Sequence, residues 1–211
     1  ANTTGTKNTS VGQSSMRVNT TGIENTALGW EALEENTTAN NNTAIGKHAG
    51  QKNTTGANNT FVGHDAARFN TTGANNTIVG KDALLANTTG ASNSAVGSGA
   101  LQANTTADNN TGVGYNSLGA NTTAANNVAV GSQALAANTT GASNVAVGKD
   151  ALTSCTTSLE NTAVGYYALK SCTTGTGQNT AMGKYALNAV TTGVSNTGFG
   201  AHTLNSCTTG G

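Results

Sequence analysis

The side chains able to do chemistry fall at two adjacent places in a short repeat, immediately after a recurring glycine. They read Lys47-His48, His64-Asp65, Lys81-Asp82, Lys149-Asp150, Lys184-Tyr185 and Ala201-His202. Catalysis needs titratable groups that converge, whereas these pairs change from copy to copy, as exposed turns do. His48, His64 and Asp65 could approach one another across neighbouring copies and hold a weakly bound metal. The reading adopted is solvated surface residues, so no catalytic residue, metal ligand or cofactor is assigned. No nucleophile–base pair, phosphate-cradling loop or glycosidase-type pair of carboxylates can be argued. Nor does Asp recur in every turn, as a calcium-binding β-roll requires. The chain is therefore not expected to be an enzyme. An envelope-degrading activity would have to run through a carboxylate such as Asp65 or Asp150.

One edge is aromatic. Tyr115, Tyr166, Tyr167 and Tyr185 share it, with Lys184 and His202 nearby. Aromatic faces beside polar groups could bind the sugar rings of a cell envelope, which makes these six residues the candidate glycan-contact surface. Exposed tyrosines on a turn also occur without any function.

The elements that position these groups follow from the repeat. Gly12, Gly29, Gly46, Gly63, Gly80, Gly97, Gly114, Gly131, Gly148 and Gly165 stand 17 residues apart; Gly183 comes one residue late and Gly200 resumes the spacing. The unit is Asn-Thr-Ala-Val-Gly, two variable residues, Ala-Leu, two more, Asn-Thr-Thr-Gly and a final two. A period of 17 is too short for a helical repeat pair, which needs roughly 33 residues or more. β-branched residues followed by glycine indicate strands closed by turns. The fold expected is all-β: a parallel β-solenoid or β-roll of about twelve coils, stacked at ~4.8 Å. It is read as a single repeat domain over residues 1–211, without separate caps and with a one-residue insertion near 175–178.

Composition agrees. Only 9% of the 211 residues are charged, 4% are aromatic, 28 are Gly and none is Pro. Net charge is zero, so there is no basic stripe for nucleic acid. No apolar run approaches the ~20 residues of a membrane-spanning helix. With no signal peptide visible and no initiator Met, the chain reads as a mature product or a piece of something longer.

Stacked asparagines can bond amide to amide along such a solenoid. Two columns qualify: the opening Asn, and the Asn before Thr-Thr (Asn2, Asn19, Asn36, Asn53, Asn70, Asn87, Asn104, Asn121 and Asn138). Asn25, Gly29, Asn42, Gly46, Asn59, Gly63, Asn144, Gly148, Asn161 and Gly165 are the ladder residues expected to hold the stack. The second column later turns into Cys155, Cys172, Val190 and Cys207, which argues for burial and against glycosylation of its Asn-Thr-Thr sequons. Neighbouring coils place Cys155 and Cys172 within disulfide reach; the alternatives are an inter-chain bond and buried free thiols, the last being preferred.

The fourth position of the repeat is apolar in every copy, from Val11 and Leu28 to Met182 and Phe199, and the third is small or apolar too. Adjacent strand residues face opposite ways, so both faces of this strand would be oily. The Ala-Leu pairs, such as Ala83-Leu84 and Ala134-Leu135, are read in the same way. A narrow coil hides one such face, and the other would meet a second chain. A homotrimer is the closed solution expected; the alternative is a monomer with a turn between those residues.

Segments such as Asn161-Thr162-Ala163-Val164-Gly165-Tyr166-Tyr167-Ala168-Leu169 resemble the repeats of phage-type tail fibre domain proteins. More loosely, they resemble the head repeats of trimeric autotransporter adhesins, whose coils are shorter. The resemblance covers essentially the whole chain. It implies homotrimeric β-rolls acting as stalks and attachment devices on a virion tail or a bacterial surface. The expected function is thus a rigid extracellular fibre or filament shaft, stacking end to end where its edges stay open. Its partners would be itself and cell-surface glycans, with no nucleic acid and no membrane insertion. The alternatives are an ice-binding Thr array and a glycan-binding adhesin.

Overall fold

A computed structural model of the chain describes residues 2–172, 177–206 and 208–209. The expected all-β parallel solenoid is what it contains, in two compact units, Ala1–Asp108 and Asn109–Gly211. Among the described residues every regular element is a three-residue strand. The first unit carries β1 (Thr9–Val11), β2 (Thr26–Leu28), β3 (Thr43–Ile45), β4 (Thr60–Val62), β5 (Thr77–Val79) and β6 (Ser94–Val96). The second carries β7 (Thr111–Val113), β8 (Val128–Val130), β9 (Val145–Val147), β10 (Thr162–Val164), β11 (Thr180–Met182) and β12 (Thr197–Phe199).

Within each unit the strands pair in parallel and in sequence order, like residue on like residue. Thr43 lies beside Thr60, Ala44 beside Phe61 and Ile45 beside Val62; Val128, Ala129 and Val130 lie beside Val145, Ala146 and Val147. The pairing of Thr162 with Thr180 places the extra residue between β10 and β11; half of the stretch where it was expected, residues 175 and 176, lies outside the described residues, as does Cys207.

Each strand stops at glycine for a steric reason. Gly63 has φ of 138°, and a Cβ there would stand 2.5 Å from the carbonyl oxygen of Gly80 in the next coil. Only a residue without a side chain can turn the chain at that point.

The turn that follows corrects one expectation. Ala83 and Leu84 do not face opposite ways; both are fully buried, as are Ala134 and Leu135. The ninth position is left-handed, with φ of 50° at Leu84 and 53° at Leu135. Reversing the backbone hand swings the leucine inward beside the alanine, which no pleated strand allows. The seventh and seventeenth positions are left-handed too, for example Asp65 at 56° and Asn75 at 60°. Such a residue costs about 1–2 kcal/mol when it is not glycine. Hydrogen bonds between coils offset it: Leu84 N donates to Ala100 O at 2.9 Å and Asp65 N to Lys47 O at 2.9 Å.

The core is therefore lined by the third, eighth and ninth positions, with the two asparagine columns closing it. Volume is matched locally. Gly50 and Ala67 replace the usual ninth-position leucine, and Phe61 fills the room they leave; a Cβ on Gly50 would meet the Phe61 ring at 2.4 Å. The fourth position points outward, leaving Val11 54%, Leu28 47% and Val79 39% exposed in the first unit and Val130 37% and Phe199 62% in the second.

Candidate functional site

The asparagine ladders are built by side-chain amides. In the second column Asn36 Nδ2 donates to Asn19 Oδ1 at 2.8 Å, Asn70 to Asn53 at 2.7 Å and Asn138 to Asn121 at 2.9 Å. The other proton of each amide goes to a carbonyl three residues on, as from Asn70 to Gly73 O at 2.9 Å. The opening asparagines also bond amide to amide in the second unit, as from Asn161 to Asn144 and from Asn179 to Asn161, both at 3.0 Å, and they take on a further task. Asn42 Oδ1 accepts the backbone N–H of Asn59, and Asn42 Nδ2 crosses the coil to Gly56 O, both at 2.9 Å. Asn25, Asn42, Asn59, Asn144 and Asn161 are buried, and satisfying such buried polar groups is what makes these columns structural.

Cys155 and Cys172 take places in the second column as buried free thiols. Burial pushes the Cys155 thiol well above its ordinary range. Cys172 is held lower by the hydrogen bond from Cys155 and donates to Ser158 Oγ at 3.2 Å.

The threonine pair divides its labour. The first hydroxyl bonds the next coil, as from Thr71 Oγ1 to Thr88 O at 2.8 Å. The second threonine, at Thr72 and Thr89, is exposed.

The aromatic edge comes together only in part. Tyr166 and Tyr167 meet at 4.1 Å, Tyr167 stacks on Tyr185 at 5.4 Å, and Tyr185 stacks on His202 at 5.1 Å. Lys184 lies over Tyr185 at 5.3 Å, and Lys170 over Tyr167 at 4.4 Å. Tyr115 stands apart, three coils earlier in the same column, with Ser132 and Lys149 between it and Tyr166. Sequence reasoning missed Lys170, which reaches the edge from the tenth position of the repeat.

The polar pairs after the glycine depart from the solvated surface expected of them. In these pairs the sixth position is exposed, but the seventh folds against the coil at some of them: His48 is only 7% and Asp150 only 5% exposed, whereas His202 stays exposed. His48 Nδ1 meets Asp65 Oδ1 at 2.7 Å, and its Nε2 faces Glu31 Oε2 at 3.3 Å. His64 Nδ1 lies 3.1 Å from the other oxygen of Asp65. Around them, Gln51 Nε2 donates to Glu31 at 2.6 Å and to Glu34 at 2.9 Å. The Gln51 bond holds the Glu34 carboxyl below the usual carboxylate range.

Among the described residues there is no cavity or cleft, and no helix long and apolar enough to cross a membrane. The chain matches no protein-family model, no curated protein and no solved structure.

Proposed function

We propose that this chain is a structural protein: a β-solenoid shaft segment of an extracellular fibre, a virion tail fibre or a bacterial surface appendage, assembled as a homotrimer. The observation that carries the reading is the outward column at the fourth position. A single exposed valine needs no explanation. A ladder of Val11, Leu28, Ile45, Val79 and Val96, each between 38% and 54% exposed, with the half-buried Val62 between Ile45 and Val79, is an apolar stripe, and such stripes mark association surfaces. Its regular spacing suits an identical surface on a sister chain, which closed symmetry supplies. The interior supports a load-carrying role as well, since within each unit the described coils are bonded to their neighbours through backbone and side chains alike.

Mass in solution tests this. Native mass spectrometry should give three times the 20.8 kDa chain mass. Replacing Val79 and Val96 by lysine should yield a monomer with unchanged β circular dichroism. A wild-type protein that stays monomeric at micromolar concentration would overturn the trimer.

A second reading rests on the aromatic edge. Tyr167, Tyr185 and His202 present stacked rings flanked by lysines, which suits contact with envelope glycans on the side of the fibre. Binding to a glycan array that disappears in Tyr185→Ala supports it, and wild-type silence on a broad array removes it. The ice-array alternative loses support from the same geometry, because the first threonine hydroxyl is engaged by the next coil and one exposed rank remains.

A further inference from the structure

The seventh-position column of the first unit places Glu31, His48, Asp65 and Asp82 in consecutive coils. All four are left-handed, with φ of 58°, 57°, 56° and 55°. Each backbone N–H donates to the preceding coil, at 2.9 Å for Glu31, His48 and Asp65 and 3.0 Å for Asp82. Their side chains thus leave a fixed backbone in parallel. His48, nine-tenths buried, holds one oxygen of Asp65 at 2.7 Å. The other oxygen is turned toward His64 at 3.1 Å. In the next coil Asp82 brings a second carboxylate, and ligand atoms of His64, Asp65 and Asp82 all lie within 4.8 Å of one another.

Two carboxylates in adjacent coils repel each other unless something positive sits between them. The neighbouring cations are at the long end of ion pairing, with Lys81 Nζ 3.5 Å from Asp82 Oδ2 on a largely exposed side chain and Arg68 Nη1 3.8 Å from Asp65 Oδ1, and pairs so open to solvent offset little of that repulsion. The second unit supplies a contrast, because Asp150 is flanked in its column by Gln133 and Tyr167, so no like charge faces it there.

We propose that His64, Asp65 and Asp82 form a divalent-cation site, with His48 as the positioning residue that fixes Asp65. One imidazole and two carboxylates suit a borderline first-row ion, Zn²⁺ foremost, whose bonds of about 2.0–2.2 Å require only a small rotation of the half-exposed His64. Mg²⁺, which prefers an all-oxygen shell, fits this set poorly. The remaining coordination positions face solvent. The site would tie one coil to the next on the turn side, and it is independent of the fibre reading.

Isothermal titration of the full chain with ZnCl₂, with and without excess Mg²⁺, tests it. The variants carry residues that other coils hold at the same positions: His64→Ser, as at Ser98, and Asp82→Asn, as at Asn116. Each should remove one Zn²⁺ equivalent per chain relative to the parent. His48→Gln, as at Gln133, should weaken that equivalent by about 10–100-fold, the usual effect of losing an outer partner. His202→Ala should leave it unchanged, and circular dichroism checks that each variant keeps its fold. The proposal is overturned by an isotherm without saturable Zn²⁺ binding, by binding unaltered in both His64→Ser and Asp82→Asn, or by equal competition from Mg²⁺.

Discussion

The twelfth position of the repeat is occupied in two ways. Through the first unit it is Asn in every coil, and each amide donates to the one before, from Asn19 to Asn2 at 3.0 Å and on to Asn104 and Asn87 at 3.0 Å. In the second unit it begins as Asn121 and Asn138 and then becomes Cys155, Cys172 and Val190, all buried. The carbonyl at the fifteenth position explains how the chain tolerates the change. Gly56 O accepts two amides, Asn42 at 2.9 Å and Asn53 at 2.8 Å. After the column has changed, Ser158 O still accepts Asn144 at 2.9 Å and Gly193 O still accepts Asn179 at 3.0 Å. The opening asparagine is thus the one the coil cannot lose. The twelfth position demands burial and volume, and an amide only where its neighbours are amides.

That contrast can be broken or sharpened by substitution, read in each case as a shift in chemical denaturation. The largest effect is expected for Asn42→Ala, which orphans the buried N–H of Asn59 and leaves a void. Its cost should be about 4 kcal/mol. Asn53→Val in the intact ladder should cost about 2–3 kcal/mol, since it strands one Asn70 proton and the Asn36 oxygen. A cost equal to that of Asn42→Ala would erase the distinction between the columns. Val190→Asn, whose amide finds no rung at Cys172, should cost about 1–2 kcal/mol. Smallest of all is Cys155→Asn, which extends the ladder beyond Asn138 and should change stability by less than about 1 kcal/mol.

Much of this was legible in the residues alone. The glycine beat fixes where strands end, and the recurrence of Asn at two places announces the ladders. The change from Asn to Cys and Val betrays a buried column. What could not be read was the hand of the backbone between glycines. Leucine rarely adopts a left-handed conformation, so Ala-Leu looks like a strand pair until tertiary stacking overrides local preference. The same reversal draws His48 and Asp65 against the coil, which is why a turn that looked solvated holds a buried histidine. The pairing of Phe61 with Gly50 and Ala67 left a trace, a large residue entering where two small ones appear, but its meaning depends on all three facing one core.

The ladder of the first unit also has an electrical consequence. Its amides all point the same way, Nδ2 of each later coil toward Oδ1 of the earlier one, so their dipoles add head to tail much as peptide groups do in an α-helix. Hydrogen-bonded groups in series polarise one another. Exchanging a middle rung such as Asn53 would therefore do more than delete its two ladder bonds and the one to Gly56 O, since it would cut one long dipole into two short ones, with an uncompensated partial charge buried on each side of the break.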